Sequence, residues 1–233
     1  MTSPSEIEVV LETGASTTAL AYPAREPAIG AALILGHGAG AGQSSAFMVD
    51  FARALSGLGI DLVTFDFLYT HLRRRIPDRT PALDACYRAV IDTVRGRVAS
   101  TARALFIGGK SMGGRIATHI AAADAALPVT GLVLLGYPLH PPGRPTERRD
   151  KHLPAIGRPI LIVQGSRDAF GTPAELAPIV RGLHPAPTLR IVADGDHSFK
   201  LPKKDPAAQT GVYANVQQDI VSWIRTVVSS SAP

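Results

Sequence analysis

Cysteine is nearly absent from this chain. Cys86 is the single cysteine among 233 residues, so no disulfide can form within the chain, a composition typical of a reducing compartment. No run of about 18 apolar residues occurs, which argues against a transmembrane helix. The opening sequence MTSPSEIEVV lacks a basic segment followed by an apolar block, so we expect no signal peptide. These absences predict a cytoplasmic protein with no membrane partner.

Metal-binding and phosphate-binding motifs are also lacking. The sequence contains no H-E-x-x-H and no paired-cysteine spacing, so we expect neither a metal nor another cofactor. The glycine-rich segment LGHGAGAG does not complete G-x-x-x-x-G-K-[ST]. It also fails G-x-G-x-x-G from Gly36, because Ala41 stands at the last glycine position. A phosphate-binding loop is therefore the weaker alternative for this segment.

Positive charge is in modest excess and is scattered along the chain. The formal net charge is +5, and the denser clusters are residues 73–79 and 144–151, without interleaved aromatic residues. A basic chain raises the alternative of a nucleic-acid partner. We interpret these clusters as solvated loops, so no nucleic acid is expected.

Short apolar runs alternate with segments of helical spacing. The runs are EIEVVLE, AALILG, DLVTFDF, ALFIGG, GLVLLGY, PILIVQG and TLRIVAD. Most are continuously apolar, which is typical of strands buried on both faces of a parallel sheet. The pattern predicts an α/β fold in one domain over residues 1–233, with helices on both faces of the sheet. STTALAYPA predicts an antiparallel hairpin at the N-terminal edge, and residues 138–159 are too few for a large lid.

Several helix ends carry recognisable signals. Thr80 before Pro81 resembles an N-cap with proline in the first turn, and Thr172 with Glu175 has the spacing of a capping box. Apolar residues from Val212 to Val227 recur at helical spacing and predict a closing helix. The tail from residue 229 is expected to fray.

One serine lies between glycines at the predicted junction of a strand and a helix. The segment GGKSMGGR places Ser111 directly after ALFIGG, and Gly109 and Gly113 complete G-x-S-x-G. A serine in so tight a turn needs neighbours without side chains, because the backbones cross closely there. The pattern favours a serine nucleophile over a glycine-rich turn with an incidental serine.

A serine hydroxyl needs a general base, and the base needs an acid that orients it. His197 follows the last predicted strand, and Asp168 follows PILIVQG. The carboxyl ends of parallel strands meet at one edge of a sheet, so we expect both side chains to lie near Ser111. Asp194 and Asp196 are alternative acids. Asp196 adjoins His197, and adjacent loop side chains rarely place a carboxylate on a ring nitrogen.

Backbone amides are expected to stabilise the oxyanion that forms when a serine attacks a carbonyl. Met112, directly after the serine, is one predicted donor. The loop LGHGAGAG supplies the other, with Ala39 the first choice and Gly40 the alternative.

A few residues near these loops are candidates for contacts with substrate. They are His37, Gly40, Lys110 and Arg74. Lys110 adjoins the serine, and Arg74 lies in the basic loop after DLVTFDF. Their charges favour an anionic substrate, and a solvated basic loop is the alternative.

These motifs together resemble those of a known family. From about residue 30 to the end, LGHGAGAG, GGKSMGGR, GSRD and GDHSF are similar to lidless predicted hydrolases of the α/β-hydrolase superfamily. That group includes bacterial proteins of dienelactone-hydrolase type, the testis-expressed protein 30 family and the hydrolase-like lobe of a non-specific-lethal complex subunit. The resemblance implies an α/β-hydrolase fold with a minimal lid, and Ser111, Asp168 and His197 as the catalytic triad in the expected chain order. The resemblance supplies no substrate, because the group is largely defined by sequence. Many dienelactone hydrolases use cysteine where this chain has serine, which argues against a dienelactone substrate.

The sequence therefore predicts a serine hydrolase that cleaves an ester or thioester of a small-molecule acyl substrate through an acyl-enzyme. Two alternatives stay open at this point. Peptidases and acyltransferases use the same triad, and a hydrolase-like scaffold could bind a protein partner without catalysis.

Overall fold

The computed structural model describes residues 3–202 and 205–230, and its centre is one eight-stranded sheet. The strands are β1 (Ser5–Val10), β2 (Ser16–Tyr22), β3 (Ala32–Gly36), β4 (Asp61–Phe65), β5 (Leu105–Lys110), β6 (Gly131–Leu135), β7 (Ile160–Gly165) and β8 (Thr188–Val192). The helices are α1 (Ala46–Gly57), α2 (Leu68–His71), α3 (Thr80–Arg95), α4 (Met112–Ala123), α5 (Pro173–Arg181) and α6 (Pro206–Ser230). Short 3₁₀ turns lie at Ala99–Ala102 and Leu153–Ala155.

The sheet is mostly parallel, with an antiparallel edge. Its strand order is β1-β2-β4-β3-β5-β6-β7-β8. β2 runs antiparallel to both β1 and β4, and the six strands from β4 to β8 in that order are parallel. Every residue of β3, β5, β6 and β7 is buried, which is why these runs carry no polar alternation. The predicted parallel sheet and N-terminal hairpin are confirmed.

Helices cover both faces of the sheet, as predicted. One apolar cluster joins the sheet to α3, α4 and α5, and the other joins it to α1 and α6. Apolar residues of α6 that were expected on one face, such as Val216, Ile220 and Ile224, are buried against the sheet. No helix in the described ranges is both long and apolar enough to cross a membrane.

The predicted helix ends are partly right. Thr172 and Glu175 form the expected capping box at the start of α5. At α3 the prediction is wrong by one residue: Arg79 is the extended N-cap, and Thr80 already belongs to the helix. The tail prediction is also wrong where it can be compared, because α6 continues through Ser230. Residues 231–233 lie outside the described residues.

The order of the strands opens a crevice at the sheet's carboxyl edge. From β3 the chain crosses to β4 on one side, and it then returns to β5 on the other side of β3. The helices that follow β3 and β5, α1 and α4, therefore leave toward opposite faces. Loops that diverge at such a switch point form the usual ligand site of an open α/β sheet. The connection between β6 and β7 holds one 3₁₀ turn, so the expected minimal lid is confirmed.

Glycine is required where α4 crosses the end of β3. A Cβ atom on Gly113 would overlap the carbonyl oxygen of Gly36, and a Cβ atom on Gly109 would overlap the same oxygen. Real Cβ atoms do not approach backbone so closely. The two glycines of G-x-S-x-G therefore let the start of α4 pack directly on β3.

We expect Gly113→Ala to lower the free energy of unfolding by about 1–3 kcal/mol, since the new methyl group must displace the backbone of β3. Gly211→Ala is the matched control, because Gly211 is also helical and a methyl group added there would have no neighbouring atom within 4 Å. That control should raise stability by up to about 1 kcal/mol through helix propensity. Urea denaturation of both variants checks the pair, and equal effects would contradict the packing argument.

Candidate active site

Ser111 lies in a strained turn between β5 and α4. Its φ of 51° and ψ of −112° fall outside the regions that residues with side chains normally adopt. The turn is held from both sides: the Ser111 amide donates to the Leu135 carbonyl at 2.9 Å, and the Ser111 carbonyl accepts from the Arg115 amide at 3.0 Å. Strain of this kind persists only where the surroundings enforce it, and it is typical of functional sites.

A continuous chain of hydrogen bonds runs from Ser111 through His197 to Asp168. His197 Nε2 lies 2.8 Å from Ser111 Oγ, and His197 Nδ1 lies 2.8 Å from Asp168 Oδ2. The Asp168 side chain is fully buried, and that of His197 is 19% exposed. With the proton of the ring on Nδ1, Nε2 is free to accept the serine proton. The structure thus brings together three residues that are far apart in the sequence.

The Asp168 carboxylate is held in place by groups that the sequence pattern did not single out. Buried Gln164, in β7, donates through Nε2 to Asp168 Oδ2 at 2.8 Å, and its Oε1 accepts from the Tyr137 amide. The Phe170 amide donates to Asp168 Oδ1 at 2.8 Å. Together these donors fix the position of the carboxylate. A glutamine inside an apolar strand run is the signal that could have indicated Gln164.

His197 is held by its ring and by its backbone. The ring of Phe170 stacks on the imidazole with centroids 4.1 Å apart, and the Lys110 ammonium donates to the His197 carbonyl at 2.6 Å. The carboxylate of Asp196 instead accepts from the Ser198 and Lys200 amides, which closes the turn. That geometry explains why Asp168, and not the adjacent Asp196, reaches the ring.

Lys110 is almost entirely buried, with 8% of its surface exposed. Burial lowers the pKa of Lys110 from 10.5 to about 8, and the nearby carboxylates of Asp168 and Asp196 only partly oppose that shift. The side chain lines the cavity, but its hydrogen bond to the His197 carbonyl ties the end of β5 to the loop that carries His197. Lys110 therefore serves first to position that loop.

The loop after β3 presents unpaired amides beside the serine. Within the described residues, no acceptor takes the amide hydrogen of Ala39, Gly40 or Met112, and all three residues line the same cavity as Ser111. The Tyr69 hydroxyl fixes this loop by donating to the Ala39 carbonyl at 2.9 Å. Free amides next to a nucleophile are the donors that an oxyanion requires.

His37 has a role other than the one predicted. It has no exposed surface, and its Nδ1 lies 2.8 Å from the Gly38 carbonyl, while its Nε2 accepts from the Phe67 amide at 3.1 Å. Burial lowers the pKa of His37, so the neutral ring suits both contacts. The expectation of substrate contact is corrected: His37 joins the loop after β3 to the end of β4.

The site opens into a cavity of about 570 Å³, a size usual for small-molecule sites. Apolar walls come from Phe47, Met48, Leu83 and Phe170, and the loop after β6 contributes Pro138 and Arg149.

The prediction that Arg74 contacts the substrate is also corrected. Arg74 is not among the residues that line the cavity, and its guanidinium is bound to Asp78 at 2.7 Å. Arg115 and Arg149 line the cavity instead, and the sequence pattern did not single them out.

No cluster of three or more histidine, cysteine, aspartate or glutamate side chains suited to a metal ion occurs in residues 3–202 and 205–230. The cysteine is remote from this chemistry: Cys86 is buried, and burial raises its pKa to about 12.

The family can be named from this fold and geometry. Residues 30–225 match the family model described as an alpha/beta hydrolase domain. Because the match covers most of the chain, the protein belongs to the α/β-hydrolase domain family. Membership of this family supports a hydrolase.

Solved structures share the whole fold at low sequence identity. The esterase domain of a Rhodothermus marinus protein superposes with a TM-score of 0.73 at 14% identity, over 97% of this chain and all of that one. A serine hydrolase without a lid from Xanthomonas campestris gives 0.67 at 21%, over 94% and 95%. Dienelactone hydrolase from Anabaena variabilis gives 0.70 at 22%, over 95% and 97%. At these sequence identities the similarity shows that the chains share a fold.

The lowered pKa of Lys110 predicts a rise of stability with pH. Between pH 8 and 10.5 the unfolded chain keeps the lysine proton that the folded chain has lost, so the contribution of Lys110 to the free energy of unfolding increases over that window, and the raised pKa of Cys86 offsets part of it above pH 9. The total contribution is about 3 kcal/mol. Lys110→Met should remove this rise, and Lys151→Met, on an exposed loop, should keep it. Urea denaturation across this pH range tests the difference, and a parallel rise in both variants would contradict it.

Proposed function

We propose that this protein is a serine hydrolase that cleaves an ester or thioester through an acyl-enzyme, with Ser111, His197 and Asp168 as its catalytic triad. The observation that carries the proposal is the unbroken chain of hydrogen bonds from the Ser111 hydroxyl to the Asp168 carboxylate, at 2.8 Å in each step. The substrate is a small-molecule acyl compound that fits a cavity of about 570 Å³.

Acylation begins with proton transfer from Ser111 Oγ to His197 Nε2 as Oγ attacks the carbonyl carbon. The carbonyl oxygen becomes an oxyanion and accepts hydrogen bonds from the Ala39 and Met112 amides. Asp168 stabilises the imidazolium that forms. The tetrahedral intermediate then collapses: the bond to the alcohol or thiol breaks, and His197 returns the proton to the departing oxygen or sulfur.

Deacylation repeats these steps with water as the nucleophile. His197 Nε2 takes a proton from water as the water oxygen attacks the acyl carbon, and the same two amides receive the oxyanion. Collapse of the second intermediate breaks the bond to Ser111 Oγ and returns the proton to that oxygen. The product acid leaves, and the enzyme is restored without any external oxidant or reductant.

A fluorophosphonate probe tests whether Ser111 is activated. We expect intact-mass analysis of the purified protein to show one covalent adduct, because the probe reacts with a serine that has a general base beside it. Ser111→Ala and His197→Ala should show none. An adduct on the Ser111→Ala variant would place the nucleophile elsewhere. No adduct on folded wild-type protein would overturn the proposal and favour a hydrolase-like scaffold that binds a partner.

The choice of Asp168 as the acid is tested by amide substitution. Asp168→Asn should lower kcat by about four orders of magnitude, since an amide no longer holds the productive tautomer of the imidazole. Asp194→Asn is the control, because Asp194 is exposed and its φ of 56° also suits asparagine. That control should change the rate less than about twofold. An ester and thioester panel measures both variants, and equal rates would count against Asp168.

A further inference from the structure

Two arginine side chains line the cavity beside Ser111 without an acidic partner. Arg115 and Arg149 are both half-buried and both face the cavity. In the part of the chain that the structure describes, neither guanidinium takes part in a hydrogen bond or an ion pair. Neighbouring arginines differ in this respect: Arg74 is paired with Asp78, and Arg148 with Asp150.

Arg115 reaches the cavity because of its place on α4. It lies in the first turn of α4, directly after the turn that carries Ser111. Side chains of a helix tilt toward its N-terminus, which directs Arg115 back toward the serine. Burial lowers the pKa of Arg115, and the positive charge of Arg149 lowers it further. The two cations are therefore close enough to repel each other.

Arg149 has a side chain that the local fold does not use. Its amide donates to the Leu139 carbonyl at 2.8 Å, and its carbonyl accepts from the Tyr137 hydroxyl. These backbone contacts hold the loop after β6 in place. The guanidinium remains available to a ligand.

The acids near the cavity do not neutralise this pair. Asp78 lines the wall, but both its oxygens accept from Arg74, at 2.7 and 3.1 Å. Asp84, in α3, attracts Arg115 electrostatically, but the two side chains form no ion pair within 4 Å. The cavity thus presents a positive surface next to the nucleophile.

We propose that Arg115 and Arg149 bind a carboxylate of the substrate, which is then an ester or thioester that carries a second, anionic end. Two guanidinium groups match the planar oxygen pair of a carboxylate, and the anion relieves the repulsion between them. The ester part of this statement rests on the proposed function, and the carboxylate part rests on the two arginines alone.

Binding can be measured without turnover on the Ser111→Ala variant. Monomethyl glutarate and methyl glutaramate have nearly the same shape, but the first ends in a carboxylate and the second in a neutral carboxamide. We expect NMR titration to show at least about tenfold tighter binding of the carboxylate, since hydrogen bonds to a charged group contribute about 1.5–3 kcal/mol. The corresponding succinate and adipate pairs cover other chain lengths.

Substitutions in the same background assign the preference to its residues. Arg115→Gln and Arg149→Gln should each reduce the carboxylate preference by about tenfold or abolish it. Arg75→Gln removes an equal charge from an exposed position nearby, and it should keep the preference. If a glutamine variant fails to fold, Arg149→Lys and a salt titration replace it. Salt screens the attraction between the arginines and the carboxylate, so added salt should weaken binding of the carboxylate and leave binding of the carboxamide unchanged.

Each result bears on the inference directly. Equal binding of the two ligands at every chain length overturns it, as does a carboxylate preference that is undiminished in either glutamine variant. Fluorophosphonate labelling of the wild type separates the two proposals. A labelled enzyme without carboxylate preference overturns the arginine site alone, whereas an unlabelled protein that binds the carboxylate through both arginines overturns only the proposed chemistry.

Discussion

The direct contact between the start of α4 and the end of β3 is the constraint on which the site depends. Gly113 and Gly109 allow that contact, since a methyl group at either would overlap the Gly36 carbonyl. With α4 seated on β3, Ser111 is forced into its turn with φ of 51°. The free amide of Met112 and the loop after β3 then face one cavity. The strain at the serine is a consequence of close packing between two buried elements.

Asp168, His197 and the loop after β3 are held at the carboxyl edge of the sheet by hydrogen bonds from buried polar side chains. Gln164 fixes Asp168 from β7, Lys110 fixes the backbone of His197 from β5, and Tyr69 fixes the Ala39 loop. Most of these contacts cross between elements that are distant in the sequence. Buried hydrogen bonds of this kind hold one geometry, because displacing either element leaves a donor or acceptor without its partner. The edge is therefore organised before any substrate arrives.

The arginine side chains around the cavity differ in whether they have an acidic partner. In the basic loop after β4, Arg74 is bound to Asp78, whereas Arg149 in the loop after β6 and Arg115 on α4 line the cavity. Sequence proximity to a strand end favoured Arg74. The structure selects Arg115 because side chains in the first turn of a helix tilt back toward its N-terminus, where Ser111 lies. A cavity with unpaired cations is suited to a substrate that brings its own negative charge.

The sequence by itself determined the sheet, its hairpin and the order of its helices, since continuous apolar runs and capping signals act locally. It also identified Ser111, Asp168 and His197 as candidates from their positions after strands. Tertiary structure decided which groups support or surround them: it buried His37 as a link between loops, it paired Arg74 with Asp78, and it brought Gln164 and Arg149 to the site. Those outcomes depend on the direction of side chains across separate elements, which no local pattern encodes.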